Sequence, residues 1–126
     1  MSDKEKDVAF KQFLLDSLLS NLEDQEGYQL AKKLALEVQA RSDAVPRRYN
    51  DWYDQVVRSS QSIFLNFAEA FGKGRGFYKS ALAISRGEAY ETFAALEIGP
   101  PAFRDLSPTC RRVCEIITDK LLLIPD

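Results

Sequence analysis

Three carboxylates, Glu69, Glu88 and Glu91, and one guanidinium, Arg58, stand at helical spacings in the middle of this chain. Paired carboxylates can divide general-acid and general-base roles, or hold a divalent metal. Helical di-metal sites also draw ligands from Glu-x-x-His pairs, and this sequence contains no His. The missing imidazole removes Ser-His-Asp and Cys-His catalysis within one chain as well. The expectation is a non-enzymatic protein with no catalytic residue, no cofactor and no metal, its carboxylates engaged in ion pairs.

Arg58 belongs to a run that opens at Gln55 and closes at Gly72. Read as a helix, Val56, Ile63, Phe64, Phe67, Ala68 and Phe71 fill one broad arc, the expected core face. Gln55, Arg58, Ser62, Asn66 and Glu69 gather on the other side within about a fifth of a turn. Such a stripe can hydrogen-bond within itself or to a partner. On the following helix Phe77, Ala81, Ile84, Glu88, Glu91 and Ala95 share a face, which sets two carboxylates in an apolar stripe. Buried charges need partners, and Arg suits bidentate carboxylate binding. The sequence therefore predicts a structural network in which Arg58 meets Glu91 across two helices. Gln55, Ser62 and Asn66 support the pair, and Glu69 and Glu88 take secondary roles.

Five helical stretches must position these groups. The first covers 5–22, with Val8, Leu15, Leu18, Leu19 and Leu22 as its apolar stripe. The others cover 25–43, 47–71, 77–97 and 107–124. Val45-Pro46 closes the second, because the residue before Pro avoids the helical region. Three glycines in Gly72-Lys73-Gly74-Arg75-Gly76 make the next turn. Gly99-Pro100-Pro101 breaks the chain, and Ser107-Pro108 offers an N-cap followed by a tolerated first-turn Pro. Short connections favour antiparallel neighbours. The prediction is one all-α domain over 1–126: an antiparallel up-down four-helix bundle over 25–124 with an extra N-terminal helix over 5–22. Cys110 and Cys114 share a stripe with Val113, Ile117 and Leu121 and read as buried thiols.

The net charge of −2 is unevenly spread. Residues 1–26 hold seven acids against three lysines, and the remainder fourteen bases against twelve acids. Lys73, Arg75, Lys79 and Arg86 follow one another with no acid between Gly72 and Gly87, a patch able to meet phosphate. Arg47 and Arg48 extend the candidate nucleic-acid contacts. Tyr49, Trp52, Tyr53, Phe77 and Tyr78 are candidate stacking surfaces. There is no secretory pattern at the start and no apolar run of membrane-spanning length. The expected location is cytoplasmic, with no membrane partner.

The Gln55 to Gly72 run resembles the second helix of small bacterial four-helix-bundle proteins labelled ribosomal-RNA intervening-sequence proteins. That helix reads Gln-x-x-Arg-x-x-x-Ser-x-x-x-Asn-x-x-Glu-Gly-x-Gly. Gln55, Arg58, Ser62, Asn66, Glu69 and Gly72 match, while Ala70 replaces a Gly. The family's next helix reads Ala-x-Gly-Ser-x-x-Glu, and here Gly87 and Glu91 are kept with Glu88 in place of Ser. The chain is also similar in build to accessory variability proteins of diversity-generating retroelements. The resemblance implies a ring-forming homo-oligomer, commonly a pentamer. It further implies a non-enzymatic accessory or scaffold role linked to RNA or DNA, with a reverse transcriptase as a candidate partner. The alternative is a protein-interaction scaffold that docks a partner through its acidic N-terminal helix and binds no nucleic acid.

Overall fold

The computed structural model describes residues 1–17, 22–72 and 74–124. Five α-helices follow one another: α1 (Asp3–Ser17), α2 (Glu26–Ala40), α3 (Asn50–Gly72), α4 (Arg75–Ile98) and α5 (Ser107–Leu122). Short 3-10 turns lie at Leu22–Asp24, Ser42–Ala44, Arg47–Tyr49 and Pro101–Leu106. Among the described residues there is no strand, and the chain is all-α. None of these helices is long and apolar enough to cross a membrane.

Local chemistry sets the helix ends. Ser2 Oγ accepts from the Glu5 backbone N–H at 3.2 Å, and Glu5 Oε1 accepts from the Ser2 N–H at 3.3 Å. This reciprocal box satisfies donors that the first turn leaves open. Between α3 and α4, Gly74 takes φ 82° and ψ −175°, a conformation essentially reserved for glycine. The expected Ser107 cap does not form. Ser107 is already helical at φ −56° and ψ −45°, because the Pro101–Leu106 turn runs directly into α5. The first helix is described over Asp3–Ser17, and Leu22, its expected last residue, opens a separate turn. Val8 of the expected apolar stripe is exposed. The Leu15, Leu18 and Leu19 side chains, and Lys73, lie outside the described residues.

α2 packs against α3 and α5, and α4 packs against the same two helices. Leu34, Val38, Val56, Ile63, Phe67, Tyr78, Leu82, Leu96, Phe103, Val113 and Ile117 are fully buried between them. Removing a side chain of this size from water is worth roughly 1.5–3 kcal/mol. The expected inward face of α3 holds in part: Val56, Ile63 and Phe67 are buried, while Phe64 and Phe71 are half-buried at its edge. On α4 the expected inward face does not hold. Tyr78, Ala81, Leu82, Ser85, Ala89, Thr92 and Leu96 point inward, and Phe77, Ile84 and Glu91 are exposed.

One end of the molecule is tied by polar and aromatic contacts together. Trp52 Nε1 donates to the Ala95 carbonyl at 2.8 Å, and its ring meets Phe103 edge-on at 5.1 Å. The Tyr53 hydroxyl donates to the Val38 carbonyl at 2.9 Å. Arg41 reaches the Ala102 carbonyl at 2.7 Å and both carboxylate oxygens of Asp105. The Arg41 guanidinium holds the Asp105 carboxyl below its ordinary range. That pair therefore stabilises the fold at neutral pH, and its contribution fades as pH falls through the lowered Asp105 value.

Gly99 faces the Trp52 ring, and a Cβ there would stand 2.1 Å from Cζ2. Gly99→Ala is expected to cost about 1–3 kcal/mol in a urea melt, the usual scale of overpacking. An equal substitution at Gly87, where a Cβ would meet nothing within 4 Å, is expected to leave stability unchanged or raised. Its position is a helix interior, where Ala is the better former.

Candidate functional site

The seam between α3 and α4 is built from small and hydroxylated side chains. Ser59, Ser60, Ser85, Ala89 and Thr92 are all buried. The Ser59 and Thr92 hydroxyls lie 2.7 Å apart, and Thr92 also donates to the Glu88 carbonyl at 2.8 Å. Ser85 Oγ donates across the seam to the Ile63 carbonyl at 2.8 Å. A buried hydroxyl without such partners costs about 1–3 kcal/mol. The two bonds that cross the seam, Ser59 to Thr92 and Ser85 to the Ile63 carbonyl, therefore favour this rotational setting of the helices.

That setting turns the Gln55 to Glu69 stripe outward. Gln55, Arg58 and Glu69 are exposed, and Ser62 and Asn66 are half-buried. The expected Arg58–Glu91 pair is not formed. Glu91 instead accepts from Gln55 Nε2 at 2.7 Å. Among the described residues, Arg58 makes no ion pair or side-chain hydrogen bond. The physical reason is exposure: water solvates the guanidinium, so nothing forces it onto a carboxylate. Asn66 Nδ2 donates to the Ser62 carbonyl at 2.9 Å and to Ser62 Oγ at 3.0 Å, a contact within one helix. Glu88 is half-buried on α4. Among the described residues no three His, Cys, Asp or Glu side chains come together closely enough to hold a metal ion.

Exposed apolar side chains stand along both helices. Leu65 lies 20° from Arg58 around α3 by helical spacing and is 62% exposed. Ile84 lies two turns before Glu91 on α4 and is 53% exposed, and Phe77 lies two turns further back at 54%. Ile84 and Phe77 thus line one side of α4 together with Glu91, while Leu65 borders a groove that α3 shares with Ala35 and Leu36 of α2.

The candidate phosphate-contacting cations fall into separate places. Arg47 and Arg48 are exposed in the turn before α3, with the Arg48 guanidinium 5.2 Å from the Tyr49 ring centroid. Arg75 and Lys79 are exposed on the first turns of α4, about 33 Å away along α3 at 1.5 Å per residue. Arg86 is half-buried further along α4. Arg75 is engaged: its Nε donates to Asp7 Oδ1 at 2.7 Å, and its Nη2 lies 3.9 Å from Asp3. Of the candidate stacking aromatics, Tyr78 is buried, and burial pushes its phenol up to about 12. Trp52 and Tyr53 are half-buried with their polar tips bonded to backbone. Phe77 keeps an exposed ring.

Cys110 and Cys114 are buried free thiols. Cys110 Sγ donates to the Ala89 carbonyl at 3.4 Å. Its contact with Cys114, together with burial, pushes the Cys110 thiol up, so it stays protonated.

The fold and this outward polar stripe define an all-α helical protein whose distinctive residues face outward rather than into the core. Residues 23–100 match the family model described as 23S rRNA-intervening sequence protein. The chain belongs to that family. No curated protein and no solved structure matches it.

The buried seam and the exposed stripe separate cleanly under mutation. Thr92→Val is expected to lower stability by about 1 kcal/mol, because Ser59 loses its hydroxyl partner. Arg58→Ala is expected to stay within about 0.5 kcal/mol of the parent, as an exposed substitution should. Urea denaturation of dilute protein, followed by circular dichroism, measures both.

Proposed function

We propose that this chain is a non-enzymatic accessory protein that assembles into an oligomer and works with nucleic acid. In this reading α2 to α5 form an antiparallel up-down four-helix bundle. Two contacts support it. Gly27 at the start of α2 lies against Phe67 near the end of α3. Arg41, just past α2, reaches Asp105, just before α5. The helices therefore meet start to end around the core.

The observation that carries the reading is the outer face of α3 and α4. Protein interfaces combine a desolvated apolar centre with a polar rim. Leu65, Phe77 and Ile84 supply the first, and Gln55, Arg58, Glu69 and Glu91 the second. These rim residues include the positions that match the family's second-helix pattern. A surface of this composition fits a second copy of the chain. A head-to-tail contact gives a closed ring when its rotation closes, and the resemblance implies five subunits. A ring multiplies each subunit's cations, so the Arg75 and Lys79 end becomes a repeated anionic-ligand surface.

The family description names a ribosomal-RNA intervening sequence, which supports RNA as the nucleic acid. By its resemblance to retroelement accessory proteins, a reverse transcriptase is the candidate protein partner, in the cytoplasm. The competing reading, a scaffold docked only through its acidic N-terminal helix, is less favoured. Asp3 and Asp7 of that helix are already turned toward Arg75.

Size-exclusion chromatography with light scattering tests assembly. The parent is expected to elute as an oligomer, and Leu65→Glu with Ile84→Glu as a monomer with unchanged helical circular dichroism. A monomeric parent at tens of micromolar contradicts the reading. Nucleic-acid binding is expected to weaken with salt, the log–log slope falling by about 0.7 for each single-strand phosphate contact removed. Lys79→Ala is expected to remove one such contact, as measured by fluorescence anisotropy across a potassium chloride series.

A further inference from the structure

The acidic first helix meets the basic end of α4 through ionic and aromatic contacts. Arg75 Nε binds Asp7 at 2.7 Å, and Asp3 stands 3.9 Å from its Nη2. Phe10 is the one side chain of residues 1–12 that is buried. Its ring meets Tyr78 edge-on at 5.0 Å. Val8, two residues away, is 63% exposed. Among the described residues α1 has no broad packing against another helix, unlike α2 to α5. Between α1, α4 and α5 an open cleft of about 450 Å³ remains, lined by Lys6, Phe10, Arg75, Tyr78, Lys79 and Leu121.

We infer that α1 is a displaceable acidic cover, whose Asp3 and Asp7 carboxylates occupy the Arg75 site that a nucleic-acid phosphate takes when α1 is released. The inference rests on the nucleic-acid reading above and adds a regulatory element to it.

The chemistry of the two occupants is the same. A guanidinium accepts a carboxylate or a phosphate through the same donors. An exposed ion pair is weak in water, so a polyanion presenting several phosphates at once can replace it. Tethering keeps the carboxylates at high effective concentration. Weak or isolated anions therefore lose to α1, and a nucleic-acid strand that also reaches Lys79 wins. The contact acts as a threshold that single phosphates and short fragments do not cross.

The test uses the full chain and a fluorescein-labelled 20-nucleotide single-stranded RNA of mixed sequence, in 50 and 150 mM potassium chloride. Asp3→Asn with Asp7→Asn uncovers Arg75. Asp54→Asn with Glu97→Gln makes the same change in net charge far from Arg75. The uncovered variant is expected to bind about three- to fivefold more tightly than the parent. The control pair is expected to change by less than about 1.5-fold. Adding Arg75→Gln to the uncovered variant is expected to cancel the gain. Hydrogen exchange on the parent is expected to lose protection over residues 3–12 when RNA saturates it. Equal gains in the two double variants, or unchanged protection in the RNA-bound parent, overturn the cover while leaving nucleic-acid binding intact. No binding by any variant at 50 mM salt overturns the nucleic-acid reading, and the cover with it.

Discussion

The hydroxyl seam between α3 and α4 governs what this molecule presents to its surroundings. Ser59, Ser85 and Thr92 are buried, and two of their bonds cross the seam, Ser59 to Thr92 and Ser85 to the Ile63 carbonyl. Rotating either helix would leave the buried Ser85 hydroxyl without the Ile63 carbonyl, a penalty larger than an exposed ion pair could return. The seam thus decides that Leu65, Ile84, Arg58 and Glu91 face outward. The outer face of α3 and α4 follows from that setting.

The helices themselves were legible in the sequence, because their apolar periodicity and their Gly and Pro breaks are strong local signals. The inward face of α4 was not. Large apolar residues at 77 and 84 suggested one face, and the true face carries Ser85, Ala89 and Thr92. Small polar side chains are poor burial signals taken singly. Their regular i, i+4, i+7 spacing was the available sign that two backbones approach closely here. The same misreading produced the expected Arg58–Glu91 pair, since both groups were taken as partly buried and in need of each other. Once the stripe faces water, that need disappears, and Glu91 is taken by the nearer Gln55 amide.

The candidate nucleic-acid residues were legible as cations but not as a surface. Sequence proximity joined Arg75, Lys79 and Arg86, and the helix spreads them over different depths of exposure. Arg47 and Arg48 belong to the far end of α3. The pairing of Arg75 with Asp7 spans sixty-eight positions and has no local signature. Such long-range ion pairs follow from how α1 docks, and the Phe10 ring on Tyr78 is part of that docking. Charge asymmetry between the first 26 residues and the rest was the one hint that the two regions answer each other.

Thiol labelling of variants that each carry one added cysteine, over a dilution series, tests the central claim most directly. The native Cys110 and Cys114 are buried and serve as an unreactive reference. Cysteine placed at Thr92 should label at the unfolding-limited rate at every concentration. Cysteine placed at Ile84 should label rapidly in dilute protein and slowly in concentrated protein, as the outer face becomes covered. Fast labelling at position 92, or a position 84 rate independent of concentration, would contradict the account.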